Sequence, residues 1–224
     1  MNDFEEVMMI RSAIISVAAA TTILTPALAE QGDLLVRLRG IVVAPTEDIG
    51  GVQPTFPNGS ASVDNAIVPE LDFTYFFTDN IAAELILATS PHDLSGEGDL
   101  EGLGEIAELM VLPPTITLQY HFAPNAQIRP YVGVGVNFTV FYDIEASQSL
   151  VDAIGPTNIN VDESFGVAFQ AGVDYMINDR WSINADIKYI QIDTDATLDT
   201  GGLINTLAID LDPVVAGIGV GYRF

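Results

Sequence analysis

The stretch "YVGVGVNFTVFY", residues 131–142, alternates without a break. Val132, Val134, Val136, Phe138, Val140 and Tyr142 fall on one face. Tyr131, Gly133, Gly135, Asn137, Thr139 and Phe141 fall on the other. A period of two belongs to a β-strand whose two faces meet different surroundings. The same period recurs in Ile116, Leu118, Tyr120 and Phe122, in Phe165, Val167, Phe169, Ala171, Val173 and Tyr175, and in Ile183, Ala185, Ile187 and Tyr189. Counting such segments predicts eight strands, near 33–44, 66–78, 80–90, 111–123, 126–142, 161–178, 180–194 and 206–224.

The connections alternate in length. "TDN" (78–80), "APNA" (123–126) and "NDR" (178–180) are tight, whereas 45–65, 91–110, 143–160 and 195–205 are long. The chain is 49% hydrophobic yet carries a formal charge of -24. A soluble barrel or sandwich would turn its apolar face inward and its charged face to water. Here the second face holds most of the basic residues, and Tyr120, Phe122, Tyr175, Trp181, Tyr222 and Phe224 cluster near one end of the strands, as interfacial aromatics do. The predicted fold is therefore all-β: an eight-stranded antiparallel transmembrane β-barrel with short periplasmic turns, four long extracellular loops and both termini periplasmic. The ending "GIGVGYRF" is then the last strand, and Tyr222 and Phe224 are its expected assembly signal.

Residues 1–29 read as a cleaved secretory signal. Arg11 precedes an apolar run from Ala13 to Leu24, and the small residues Ala27 and Ala29 precede Glu30. The run is shorter than the ~20 residues of a spanning helix. The acidic "MNDFEEV" is unusual for such a segment, and Met8 or Met9 are alternative starts. Residues 30–224 form the barrel domain. Removing the signal takes three of the 31 acidic residues and one of the seven basic ones. This balance argues against nucleic-acid binding, which needs basic surface to neutralise phosphates. There are no cysteines, so disulfides and thiolate metal sites are excluded, and no cofactor is implied.

If the apolar face meets lipid, parity sends Arg37, Arg39, Arg129, Lys188 and Arg223 into the lumen with Glu70, Asp72, Glu84, Asp174 and Asp186. Charges there need partners, and an eight-stranded lumen is just wide enough for side chains to fill. These ten residues are expected to form an ionic plug. Towards the extracellular end the inward positions become apolar: Ile41, Val43, Val68, Ile86, Phe141, Ile190, Ile192 and Leu211. Two readings stay open. One is an apolar ligand pocket closed below by ion pairs. The other is a packed barrel mouth, or a parity-reversing bulge at Ile190, Gln191 and Ile192.

The segments "LLVRLRGIVVAPTE" (34–47), "FTYFFTDNIAAELILATSPH" (73–92), "LPPTITLQYHFAP" (112–124), "RPYVGVGVNFTVFYD" (129–143), "GVDYMINDRWSINADIKYIQIDTDA" (172–196) and "DPVVAGIGVGYRF" (212–224) resemble the OmpW family of outer-membrane proteins. The resemblance covers nearly the whole chain after the signal. It implies an eight-stranded barrel with a narrow apolar channel, passage of small hydrophobic molecules including alkanes, and exit through the barrel wall into the membrane. Some relatives also serve as bacteriophage or colicin receptors. The loops depart from this pattern: they hold fourteen carboxylates and no Lys or Arg. A solvated charged surface is the plain reading. Divalent-cation bridging within the loops or to lipopolysaccharide is the alternative, with Asp93, Glu97, Asp99 and Glu101 as candidate oxygen ligands, although their spacing is not that of an EF-hand.

The expected function is uptake of small hydrophobic solutes. The alternative is a structural or adhesive barrel whose acidic loops bind an external partner or divalent cations. An enzyme is not expected. His92 and His121 lack a serine nucleophile motif and read as incidental rim or lumen residues. Expected partners are outer-membrane lipid and lipopolysaccharide, the solutes, and the outer-membrane assembly machinery. A lateral exit needs a break in the strand ladder. Pro69, Pro113, Pro114, Pro130 and Pro213 lack the N–H that pairing uses, and Pro69 with Pro113–Pro114 mark the expected gap.

Overall fold

The computed structural model describes residues 31–224. The expected signal, 1–29, lies outside the described residues. Eight strand paths cross the molecule. The first is β1 (Leu34–Ala44), followed by the short β2 (Asp48–Ile49). β3 (Gly59–Val63) runs into β4 (Ala66–Phe76), β5 (Ile81–Ala88) into β6 (Ser90–Gly98), and β7 (Glu105–Leu112) into β8 (Thr115–His121). β9 (Ile128–Ala146) is a single long strand. After the helix α1 (Gln148–Ile154), β10 (Thr157–Val161) runs into β11 (Ser164–Met176), β12 (Trp181–Ile190) into β13 (Asp193–Thr200), and β14 (Leu203–Asp210) into β15 (Val214–Arg223).

All pairings are antiparallel, and the last path returns to the first. β15 pairs with β1 from Leu35 opposite Arg223 to Ala44 opposite Val214. β9 pairs with β11 from Ser164 opposite Thr139 to Tyr175 opposite Ile128. The sheet thus closes, which removes its edges. The seam is tight at Gly219, where a Cβ would collide with the Leu38 carbonyl and the Arg39 backbone. At the short turns, side chains replace missing ladder bonds: Thr78 Oγ1 accepts from the Ile81 N–H at 3.0 Å, and Asn178 Oδ1 from the Trp181 N–H at 2.9 Å.

Polarity inverts along each path. Near the short turns the outward face is apolar and exposed, as in Leu85, Leu118, Val134, Phe169, Ile187 and Val220, while the inward face is polar and buried. Past Ile190 on the seventh path the inward residues Ile190, Ile192 and Ala196 are apolar and buried, and the outward ones include Asp193 and Asp195. Lipid can cover the first arrangement and water the second. Aromatic rings gird the short-turn end, with edge-to-face pairs Tyr75–Phe77, Tyr120–Phe122, Trp181–Tyr222 and Tyr222–Phe224 at centroid distances of 5.3, 5.2, 4.9 and 4.8 Å.

The long connections differ from the expected loops. Much of 91–110 and 195–205 is strand, because β6–β7 and β13–β14 extend the wall as hairpins. In these extensions the alternation continues, but many of its outward members are carboxylates and hydroxyls, as in Asp93, Glu97, Asp193, Asp195 and Asp199. Of the readings left open for 190–192, a parity-reversing bulge is not what the structure has: Ile190 and Ile192 both point in, at 4% and 2% exposure.

The ladder is interrupted on both sides of Thr89. Towards β4, pairing holds at Glu70 opposite Ala88 and resumes only at Val63 opposite Leu94. Towards β8 and β7, it holds at Ile86 opposite Thr115 and resumes at Ser90 opposite Val111. Pro69, Pro113 and Pro114 sit in these breaks. Pro130 and Pro213 lie where their carbonyls still accept, from the Phe122 and Ile190 N–H groups.

Candidate functional site

Strand alternation delivers polar side chains from all eight paths into the lower lumen. Arg37 and Arg39, both on the inward face of β1, are fully buried. The Arg37 guanidinium reaches Asp174 at 2.7 Å, Glu84 at 3.1 Å and Asp72 at 3.2 Å. Arg39 reaches Asp186 at 2.6 Å, Asp72 at 2.7 Å, Glu70 at 2.8 Å and Glu84 at 3.2 Å. Lys188 reaches Glu70 at 2.9 Å and Asp186 at 3.0 Å. Eight of the ten expected plug residues therefore form one network of five carboxylates and three cations. The other two, Arg129 and Arg223, lie nearer the short-turn end. Arg129 Nε donates to the Ala126 carbonyl at 2.8 Å, and Arg223 faces Asp33 at 3.5 Å.

Neutral groups complete the network, and the charge-based reading missed them. Gln119 donates to Glu84 at 2.7 Å and to the Gln170 carbonyl oxygen at 3.0 Å, and Gln170 donates to Asp186 at 2.9 Å. Asn184 donates to Asp174 at 2.9 Å, and Thr74 accepts from Arg37 at 2.7 Å. All share the inward parity of the charged residues, which is the signal that would have found them. Below, His121 stacks on Tyr131 with centroids 5.0 Å apart and is buried. The lower lumen is filled with interlocked side chains.

Above this floor lies an apolar cavity of about 60 Å³. Seven of the eight expected apolar residues line it: Ile41, Val43, Ile86, Phe141, Ile190, Ile192 and Leu211. Val68 is buried in the same apolar cluster but is not among the lining residues. Glu70 forms part of the floor. The cavity is smaller than the ~150 Å³ apolar void that takes up a benzene, so a larger guest must displace side chains. On the outer, lipid-facing side of the same wall, a notch is lined by Leu38, Pro69, Glu70, Leu71, Leu87, Ala88, Thr89 and Leu112. Glu70 and Ala88 border both spaces, at the interrupted ladder.

Sequence reasoning also missed a polar pair in the cavity wall. Ser90 and His92, two residues apart on the inward face of β6, both line it. Ser90 Oγ lies 2.9 Å from His92 Nε2, and His92 Nδ1 lies 2.9 Å from the Asp64 carbonyl. Of the two positions expected for His92, rim or lumen, the structure has the lumen, where the ring is buried and held at both nitrogens. Its neighbour Asp93 points outward and is exposed, which sets this level beyond the lipid-facing band. Burial holds the His92 imidazole below its ordinary value, against the Asp64 carbonyl.

The candidate cation ligands are not gathered. Asp93 and Glu97 fall on the outer face of β6, about 13 Å apart along a strand, and Asp99 and Glu101 follow in the turn. Among the described residues, no group of three or more His, Asp or Glu side chains is placed to hold a metal ion.

Comparison with known proteins bears on this architecture. The family model described as OmpW family matches residues 30–224. Outer membrane protein W of Salmonella typhimurium is 40% identical over 196 residues, covering 87% of this chain and 90% of that protein. The dibenzothiophene metabolism operon protein PahQ of Pseudomonas aeruginosa is 28% identical over 170 residues, covering 75% of this chain and 76% of that one. The crystal structure of the outer membrane protein OprG from Pseudomonas aeruginosa superposes with a TM-score of 0.82 at 29% identity, covering 90% of this chain and 99% of that chain.

Proposed function

The chain belongs to the OmpW family and is an outer-membrane β-barrel, and from that premise we propose that it admits small apolar molecules at its long-loop end and releases them sideways into the membrane. The long loops face the cell exterior and both termini face the periplasm. A solute enters the apolar cavity from the exterior. It cannot continue straight through, because the ionic floor fills the lumen and an apolar guest offers those charges nothing in exchange for their partners. The remaining way out is through the wall. The observation that carries this reading is the shared border: Glu70 and Ala88 line both the inner cavity and the outer notch, where the ladder is interrupted on both sides of Thr89.

The relative named for dibenzothiophene metabolism fits the same class of cargo, an apolar aromatic molecule. No catalytic role is assigned: the relatives are outer-membrane barrel proteins, and the wall passes its cargo unchanged. The acidic extension also carries water-facing charge suited to lipopolysaccharide bridged by divalent cations, and the aromatic pair Tyr222 and Phe224 is suited to recognition by the assembly machinery.

Uptake of a panel of apolar solutes by cells lacking the protein, and by cells carrying wild type, Ile86→Trp or Ala88→Trp, tests the proposal. Ile86→Trp fills the cavity and Ala88→Trp fills the exit, so both should lower uptake to the level of the deletion. Equal uptake in all four strains would sink it.

A further inference from the structure

The cavity has polar wall groups, and their hydrogen bonds have a definite direction. Asp64 offers His92 a carbonyl, which only accepts, so His92 Nδ1 carries the proton. The neutral ring then leaves Nε2 as an acceptor, and the Ser90 hydroxyl donates to it. Thr115 donates its hydroxyl to the Pro113 carbonyl at 2.9 Å. Thr194 donates to the Asp162 carbonyl at 2.6 Å. Glu70 is a carboxylate held by Lys188 and Arg39. Every side-chain donor in the lining is thus committed within the protein. What remains towards the guest is acceptor capacity, including the lone pairs of Ser90 Oγ, in the wall opposite Val111.

We infer that the cavity selects apolar molecules bearing a hydroxyl donor, alcohols or phenols, and that Ser90, oriented by His92, is the acceptor. A hydroxyl guest satisfies its O–H there while its hydrocarbon lies against Ile41, Ile190 and Leu211, displacing side chains where it exceeds the cavity. An ether, ketone or ester of the same size brings only acceptors and finds no donor. Bringing a polar oxygen into the site without a partner costs free energy, so the preference arises from both sides. The inference rests on the cavity being the solute site of the proposed function, and it specifies the chemistry of the guest.

The test uses two isomers of equal size, 1-heptanol and hexyl methyl ether, with the full barrel in lipid nanodiscs. Binding is read by headspace partitioning, and nanodiscs carrying Ile86→Trp are subtracted to remove uptake by lipid. Wild type should bind the alcohol about five-fold more tightly, the factor that one neutral hydrogen bond supplies. In the double variant Ser90→Ala/His92→Phe the alcohol should fall to the affinity of the ether, and the ether should be unchanged. In His92→Phe alone the Ser90 hydroxyl is released to donate, and the ether should rise towards the alcohol. Heat-modifiable gel mobility identifies folded variants, and the wild-type comparison stands without them. Equal binding of both isomers by wild type overturns the inference and leaves the uptake reading in place. So does a preference for the alcohol that survives in the double variant. Binding of neither isomer overturns the inference, and if Ile86→Trp also leaves cellular uptake untouched, the uptake reading falls with it.

Discussion

Replacing Arg39 by methionine removes the most connected cation of the floor. Its guanidinium contacts four carboxylates between 2.6 and 3.2 Å, and all side chains involved are at most 2% exposed. In the variant, five carboxylates face only Arg37 and Lys188. Leaving one buried partner without its counter-charge costs about 3–5 kcal/mol. The four contacts share one cation, so their losses do not add, and proton uptake by a carboxylate relieves part of the strain. The expected loss is therefore that of one broken pair, about 4 kcal/mol. Lys188→Met should cost less, because Arg39 continues to bridge Glu70 and Asp186. Urea unfolding in lipid vesicles, followed by gel mobility and tryptophan fluorescence, measures both. The loss should be the same at low and high salt, because buried pairs are poorly screened. A loss below about 1 kcal/mol, the scale of a solvated pair, or one that disappears in high salt, would mean that the floor is solvated and that its role as a barrier is wrong.

Gly219→Val should lower the urea midpoint, with about 1–3 kcal/mol lost to overpacking against the Leu38 carbonyl, whereas Gly40→Ala, with open space around it, should not. Burial and then the neighbouring carboxylates raise the pKa values of Glu47, beside Glu97 and Asp64, and of Asp210, beside Asp193, Asp212 and Asp48. Their stabilising contribution is complete below the ordinary values of 4.5 and 3.8 and is lost as pH rises through the raised folded values. Hydrogen exchange corrected for intrinsic rates should show β2, β13 and β14 opening less readily at pH 4 than at pH 7.5, and the reverse order would contradict the assignment. Deleting Phe224 should reduce insertion in cells, while the purified chain refolded in detergent keeps its heat-modifiable mobility.

The barrel was legible because lipid enforces a strict alternation: a run such as Val132 to Phe138 suits a wall between hydrocarbon and a filled lumen and little else. The plug charges followed from parity, since a side chain two residues from Arg37 must share its face. The extensions were harder to read. Beyond the lipid band the outward residues are Asp93, Glu108 and Asp195, and a strand with carboxylates on one face resembles a loop when apolar outward residues are the criterion. The Ser90–His92 pair was hidden for a related reason. Its partner is the Asp64 carbonyl, a backbone group twenty-eight residues away in sequence, and no side-chain motif announces a backbone acceptor. Which carboxylate each cation of the floor reaches needed coordinates, because parity gives a face and not a partner.

The reversal of polarity along each strand fixes the height at which the protein floats. Sinking by two residues, about 7 Å along a strand, would immerse Asp93, Asp193 and Asp212. Rising by the same amount would lift Leu87, Tyr189 and Val214 into water. Charged groups on the lipid face become costly with depth, and exposed apolar area is costly at the surface, so either displacement meets a restoring force around the whole circumference. Tyr189 marks this waterline, with its hydroxyl donating to Asp212 at 2.6 Å. Such a barrel is free to rotate in the plane yet moored along the membrane normal. The notch beside Thr89 therefore opens at one depth, just inside the long-loop edge of the hydrocarbon.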